Sequence, residues 1–167
     1  CGLDYFYDFS PKDEQIKVLK KMIAAAQQSG LPIIIHSREA EDDTAEILIT
    51  AYKQKAFTGV LHCYSSAWEL ASSLLDIGFY VSASGIITFK NSGELRASFA
   101  KVPEERLLLE TDSPYLAPVP LRGKMNEPSF IVRTAECLAK IKGLDLNDIS
   151  AITTNNFFKL FAKAQRV

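Results

Sequence analysis

Three apolar stretches of this chain each end on ionisable side chains, which strongly constrains its fold. The stretches are residues 31–35 before His36, 60–61 before His62, and 107–109 before Glu110 and Asp112. His36 and His62 are the only histidines in the chain, and both occupy this kind of position. Parallel strands in α/β proteins are apolar because both faces are covered, and their functional side chains stand at the C-terminal ends. The pattern therefore predicts parallel strands below an active site, as in an α/β barrel.

The composition indicates one domain, over residues 1–167, with a substantial core. Hydrophobic residues make up 47% of the chain, and the formal net charge is −1. The near-neutral charge argues against a protein that coats DNA non-specifically, but a few arginines and bound metals are enough to hold phosphate locally. No apolar run approaches the about 18 residues of a membrane-spanning helix, and no signal peptide is visible. We therefore expect a cytoplasmic location, or a nuclear one in a eukaryote.

The three cysteines argue against a disulfide framework and against a zinc knuckle. Cys1, Cys63 and Cys137 are odd in number, widely spaced and not arranged as Cys-x-x-Cys. Cys63 falls between His62 and Tyr64 in a predicted strand, so its side chain should face the opposite way from theirs. We expect a buried, reduced thiol at this position.

Hydrophobic periodicity and turn residues predict strict alternation of helices and strands. Helices are predicted over residues 11–29, 39–55, 66–77, 92–100 and 129–142, with strands over 31–36, 57–64, 79–87 and 107–112. Ser10 is the expected cap of the first helix, Ser66 and Glu69 form an expected capping box, and Asp145 should begin the last helical region.

This alternation predicts parallel strands joined by right-handed crossovers. Four complete strands are half of an eight-stranded barrel, and such barrels usually need about 250 residues. The sequence therefore predicts either a small open α/β sheet or a barrel of which a part is absent.

Several segments, in order, make the chain similar to the TatD family of metal-dependent deoxyribonucleases. They are Gly2-Leu3-Asp4-Tyr5, residues 31–38, His62-Cys63-Tyr64-Ser65, residues 84–89, residues 107–114, Arg122-Gly123 with Asn126-Glu127-Pro128, and residues 156–161. The resemblance implies a (β/α)8 TIM barrel of the metallo-dependent hydrolase type. It also implies divalent metal ions and DNA as the substrate, cleaved in an exonuclease-like way at 3′ ends or in single strands.

Two motifs of that family have no counterpart in this chain. Family members begin with a strand ending in His-x-His, and they place a metal-bridging Glu in a Gly-Glu-x-Gly-Leu-Asp-Tyr pattern. This chain opens at Cys1-Gly2, directly after the position of that Glu. We therefore expect a partial barrel that corresponds to the C-terminal portion of such a protein.

The resemblance implies that His36, His62 and Asp112 bind the metal, and that Asp112 also orients or deprotonates the attacking water. The alternatives are a structural role for each histidine and an ordinary cap after a strand for Asp112. Glu110 should share the face of Asp112, either fixing the orientation of a ligand or pairing with a lysine or arginine. Phosphodiester hydrolysis suits two divalent ions, Mg²⁺ or Mn²⁺, and the mixed ligands also accept Zn²⁺.

Three further side chains are predicted to bind the substrate. Arg38 is expected to grip a phosphate, or else to form an ion pair with Glu39 or Glu41. Tyr64 is expected to stack on a base or to pack at the barrel mouth. Arg122 should follow the DNA backbone, or it belongs to a solvated loop.

Two polar positions are expected to be structural. Asn126 and its two neighbours should anchor the long loop over residues 113–128. Asp4, next to the position of the family's bridging Glu, should form structural hydrogen bonds.

Two other functions remain open at this point. A half-barrel exposes sheet edges and an apolar interior, so the chain is alternatively a non-enzymatic scaffold that forms a homo-oligomer. The barrel also supports many chemistries, so another phosphate ester is an alternative substrate.

Overall fold

The computed structural model of the chain describes residues 1–7 and 9–166. These residues form strands β1 (Gly2–Asp4), β2 (Ile33–Arg38), β3 (Gly59–Leu61), β4 (Tyr80–Ala83) and β5 (Leu107–Leu109). The α-helices are α1 (Lys12–Ser29), α2 (Glu41–Gln54), α3 (Trp68–Leu75), α4 (Gly93–Lys101), α5 (Ile131–Lys142) and α6 (Leu146–Leu160). Short 3-10 helices cover Gly85–Thr88, Glu104–Arg106 and Pro128–Phe130. No helix in the described part of the chain is long and apolar enough to cross a membrane.

The five strands form one parallel sheet whose order in space equals their order in the chain. A helix follows each of the first four strands and leads to the next one. The strand order never reverses, as it does in a doubly wound sheet, so the arrangement is that of a barrel wall. The predicted parallel α/β alternation is confirmed, and the prediction that the barrel is partial stays a prediction.

The main core lies between the sheet and the helices. One side chain from each strand is fully buried there: Leu3, Ile35, Leu61, Val81 and Leu107. Because side chains alternate across a strand, their neighbours point to the other face of the sheet. On that second face Val60, Tyr80 and Leu108 form a smaller cluster with Leu160 at the end of α6. The sheet is therefore apolar on both faces below its C-terminal edge.

Local sequence signals at helix ends were right in some places and wrong in others. Asp145 caps α6 as predicted, because its side chain accepts a hydrogen bond of 2.9 Å from the Asp148 N–H. The predicted capping box is wrong: α3 begins at Trp68, and Ser66 donates a 2.6 Å hydrogen bond to Glu41 instead. The Ser10 cap is also wrong, because Pro11 directly precedes α1 and no side chain caps that helix.

The predicted strand through Cys63 is too long. Strand β3 ends at Leu61, and Cys63 has a positive φ of 46°, so it lies in a turn. Its thiol is only half-buried and donates a 3.1 Å hydrogen bond to the hydroxyl of Ser84. Burial raises the pKa of the Cys63 thiol to about 12, so the thiol is protonated and unreactive at neutral pH.

Gly59 allows β2 and β3 to approach each other, and we expect Gly59→Ala to destabilise the fold by about 2–3 kcal/mol. A Cβ atom at Gly59 would lie 2.5 Å from the carbonyl oxygen of Ile33 and 2.7 Å from the ring of Phe79. Urea unfolding measures the change. Gly93→Ala is the matched control, because a Cβ there meets nothing within 4 Å and lies in a helix. Equal decreases in the free energy of unfolding of the two variants would contradict this account.

Candidate metal centre

The C-terminal edge of the sheet brings together the ionisable side chains that follow the apolar runs. The backbone N–H of His36 donates to Cys1, that of His62 to Ile35, and that of Glu110 to Ala83, at 2.8, 2.8 and 3.0 Å. These bonds continue the parallel ladders past the ends of β3 and β5. Backbone pairing therefore sets the position of each functional side chain.

His62 lies between two carboxylates. Its Nδ1 atom is 2.7 Å from Glu110 Oε1, and its Nε2 atom is 3.5 Å from Asp112 Oδ1. One ligand atom from each of the three residues lies within 4.8 Å of the others. Two ligand atoms held about 2.1 Å from a shared ion stand roughly 3.0–3.4 Å apart. The distance between His62 Nε2 and Asp112 Oδ1 is thus close to the separation of two ligands of one divalent cation.

Glu110 carries charge that the protein compensates only in part. Its Oε1 atom is buried, and within residues 1–7 and 9–166 no donor reaches it with good hydrogen-bond geometry, despite the short contact to His62. A buried carboxylate oxygen without a hydrogen bond is costly. A divalent cation beside it would lower that cost, and one imidazole with two carboxylates suits Mg²⁺, Mn²⁺ or Zn²⁺. The residues present therefore fit a metal ion.

The alternative of a lysine or arginine partner for Glu110 is wrong, because its neighbour is His62.

The three groups shift each other's pKa values. Contact with Glu110 raises the pKa of His62, against the opposing effect of burial. Burial raises the pKa of Glu110, but contacts from His62, Ser82 and the Cys63 backbone outweigh it, so the net pKa is lowered. Burial and the charge of Glu110 raise the pKa of Asp112, although both histidines oppose this effect. Without metal, the two carboxylates therefore favour the protonated form of His62.

We expect divalent-metal affinity to fall as the pH is lowered, because the ion must displace the proton of His62. The pKa of His62 is raised above its ordinary 6.5, so the loss begins above that pH. Calorimetric titration with Mn²⁺ should give a binding constant at least about tenfold lower at pH 5.5 than at pH 8. Circular dichroism at both pH values controls for unfolding. A metal affinity that does not depend on pH would show that His62 is not a ligand of the metal.

His36 stands beside this cluster and not within it. Its ring centroid is 6.4 Å from that of His62, and its Nε2 atom is 3.0 Å from Asp4 Oδ2. The other carboxylate oxygen of Asp4 accepts hydrogen bonds from the N–H groups of Phe6 and Tyr7. The structural role predicted for Asp4 is confirmed, while metal binding by His36 stays a prediction. The Asp4–His36 contact was not predicted; the register of β1 on β2 produces it.

The structure places Arg38 against aromatic rings. Its guanidinium carbon lies 3.8 Å from the ring centroid of Phe6 and 4.8 Å from that of Tyr7. The alternative ion pairs with Glu39 and Glu41 are not formed among the described residues. Phosphate binding by Arg38 stays a prediction.

The structure places Tyr64 in the core. Its side chain is 3% exposed and packs edge-on against Phe99, and its hydroxyl donates to the carbonyl of Ala67. A ring this deeply buried has no face open to a base, so the geometry favours the packing alternative over stacking.

The long loop after β5 is tied down beside Asp112, as predicted for Asn126. This residue is 4% exposed, and its amide nitrogen donates to the carbonyls of Thr111 and Tyr115 at 2.7 and 2.6 Å. Arg122, on the same loop, is exposed and stacks 3.8 Å above the ring centroid of Phe89. Its contact with DNA stays a prediction.

Comparisons with known proteins agree with this geometry. A family model described as TatD related DNase matches residues 1–162. Two proteins named uncharacterized metal-dependent hydrolases, one from Buchnera aphidicola (Acyrthosiphon pisum strain) and YcfH from Escherichia coli K12, are 47% and 45% identical over 160 residues. Each match covers 96% of this chain and 60% of the relative, so the chain spans about three fifths of the relatives' length.

A solved structure matches the fold. YjjV, described as a TatD homologue from Escherichia coli K12, gives a TM-score of 0.88 at 28% identity, covering 96% of this chain and 61% of that one. This likeness to a TatD homologue confirms the predicted fold class, a parallel sheet alternating with helices.

Proposed function

The chain belongs to the TatD-related DNase family of metal-dependent hydrolases, and on that premise we propose that it hydrolyses phosphodiester bonds of DNA. The observation that carries the proposal is the His62, Glu110 and Asp112 cluster at the C-terminal edge of the sheet, with its incompletely compensated charge. This is the edge at which barrel enzymes carry their active sites.

In this proposal His62 Nε2 and Asp112 hold a divalent ion, and His36 contributes to a second one. When bound, such ions polarise the phosphate and lower the pKa of a water molecule. The charge of Glu110 lies 2.7 Å from His62 Nδ1 and favours a ring orientation in which Nε2 faces Asp112. This orientation keeps the metal-binding nitrogen in place before substrate arrives.

Asp112 has a second role in the proposal, which is to accept the proton of the attacking water at a carboxylate oxygen. In the metal-free chain, burial and the neighbouring charge of Glu110 raise the pKa of Asp112. The anchored loop holds Asp112 in a backbone conformation with a positive φ of 59°. The carboxylate of Asp112 faces His62, with Oδ1 3.5 Å from Nε2.

Substrate contacts come from arginines near this edge. Arg122 is exposed on the anchored loop, and Arg38 ends β2 two residues after His36; we propose that both bind phosphate. We propose DNA strand ends or single strands as the substrate, cleaved in an exonuclease-like way.

The proposal is tested with end-labelled single-stranded DNA and the 167-residue protein, in Mg²⁺, in Mn²⁺ and in EDTA. We expect progressive shortening of the DNA with either metal and none in EDTA. A panel of small phosphate esters, run in parallel, reports the alternative substrate class. If the folded, metal-loaded protein leaves DNA intact, the proposal is wrong.

One observation favours the alternative of an oligomeric scaffold. Ile34 is 49% exposed at the middle of β2, although Ile33 and Ile35 on either side are buried. Ile34 pairs with Val60, which belongs to the apolar cluster on that sheet face, and an apolar sheet face that continues to the surface favours association. Light scattering distinguishes the two: a dimer without nuclease activity would support the scaffold, and a monomer would exclude it.

A further inference from the structure

Three aromatic rings form an exposed surface just after β1, and we name them, with Arg38, the aromatic ledge. Phe6, Tyr7 and Phe9 are 50%, 44% and 89% exposed. The rings of Tyr7 and Phe9 lie nearly parallel, with centroids 5.2 Å apart, and Phe6 meets Tyr7 edge-on at 4.8 Å. Three adjacent large rings in solvent are unusual on a monomeric surface and indicate a binding site.

The aromatic ledge is joined directly to the candidate metal centre. One carboxylate oxygen of Asp4 accepts the N–H groups of Phe6 and Tyr7, at 3.0 and 3.1 Å. The other oxygen lies 3.0 Å from His36, whose ring is 6.4 Å from that of His62. A single carboxylate therefore holds the backbone of Phe6 and Tyr7 in place relative to His36, so the aromatic ledge lies on the His36 side of the cluster.

Cations accompany these rings. Arg38 stacks 3.8 Å from the centroid of Phe6, and Lys12 lies 4.2 Å from that of Tyr5, the residue before the ledge. Guanidinium and ammonium groups on ring faces retain N–H donors that can bind phosphate. Interleaved rings and cations complement a strand that carries a base and a negative charge on each nucleotide. A purely apolar protein partner would not need the cations.

We propose that the aromatic ledge binds unpaired nucleobases of a DNA strand, by stacking on the open face of Phe9, which Tyr7 supports from its other face, and so delivers the adjoining phosphate to the metal centre. The inference rests on the proposed function and adds to it a subsite. Bases inside a duplex are covered on both faces by their neighbours, whereas an unpaired base can turn a face to a ring of the protein.

The test measures the binding of a fluorescein-labelled 12-nucleotide single strand to the 167-residue protein by anisotropy, in EDTA and at low salt. EDTA prevents cleavage, so the readout is independent of catalysis. We expect Phe9→Ala and Tyr7→Ala each to weaken binding at least about fivefold. Phe9→Leu should also weaken it, because leucine keeps apolar bulk without a π-face, whereas Phe9→Trp should retain it.

Phe157→Ala is the matched control, because Phe157 is 42% exposed on α6 and belongs to a separate aromatic group. It should bind the strand as the parent protein does. Unchanged binding by Phe9→Ala and Tyr7→Ala, or no binding by the parent, overturns the inference. So does an effect of these variants on self-association alone, measured by light scattering. Cleavage at the parent rate by these variants, at a DNA concentration below saturation, would contradict the ledge and leave the proposed function standing. A parent protein that binds the strand but does not cleave it with metal would contradict the proposed function and leave the ledge standing.

Discussion

Replacing His62 with alanine should lower metal-dependent cleavage of DNA by at least about a hundredfold. Groups that merely orient a metal ligand are worth about 10- to 100-fold, and His62 is placed to be the ligand itself. Its two ring nitrogens face Glu110 and Asp112, so alanine leaves two carboxylates facing each other without the imidazole between them. Like charges in this position repel, so we expect a lower metal affinity and a displacement of the Asp112 side chain.

Cleavage rates in Mn²⁺, compared with calorimetric metal titrations, measure this effect. Cys63→Ser is the control, because Cys63 is the next residue and its thiol bonds to Ser84 outside the cluster. It should stay within a few-fold of the parent rate. If the His62→Ala protein is folded and still shows metal-stimulated cleavage, the candidate metal centre is assigned to the wrong residues.

Replacing Glu110 with glutamine should lower cleavage by about 10- to 100-fold. Glutamine keeps the shape and one oxygen but removes the charge that holds the His62 ring. The same change should return the pKa of His62 toward its ordinary value, because contact with Glu110 is the main cause of the raised pKa. An NMR pH titration of His62 reports this shift separately from activity.

Glu105→Gln makes the same chemical change at an exposed position before β5, at the far end of that strand from the cluster. It should alter neither the cleavage rate nor the pKa of His62. A pKa of His62 that stays raised in Glu110→Gln would show that Asp112, and not Glu110, controls the imidazole.

The sheet and its functional edge could be predicted because an apolar run that ends on polar residues is compatible with few structures other than a buried parallel strand. Helix starts were less predictable, since a serine can bond to any nearby acceptor. Ser66 bonds to Glu41, a residue 25 positions away, and this partner is visible only in three dimensions. The end of β3 at Leu61 was missed for a related reason, because the turn at Cys63 needs a positive φ that no local residue signals.

At the site, the approach of His62 and Asp112 followed from their places after β3 and β5. The contact between Asp4 and His36 did not, because β1 has only three residues, Gly2–Asp4, and is too short to show a periodic pattern. The burial of Tyr64 depends on α3 and α4 packing over it, which strand periodicity does not report.

The sequential strand order also bears on how the protein is assembled during synthesis. Each new strand pairs with the one made just before it, so the sheet can grow in one direction as the chain leaves the ribosome. His62 emerges well before Glu110 and Asp112, which follow β5. The imidazole and the two carboxylates therefore meet only after β3, β4 and β5 have paired, and metal capture would report the pairing of β5.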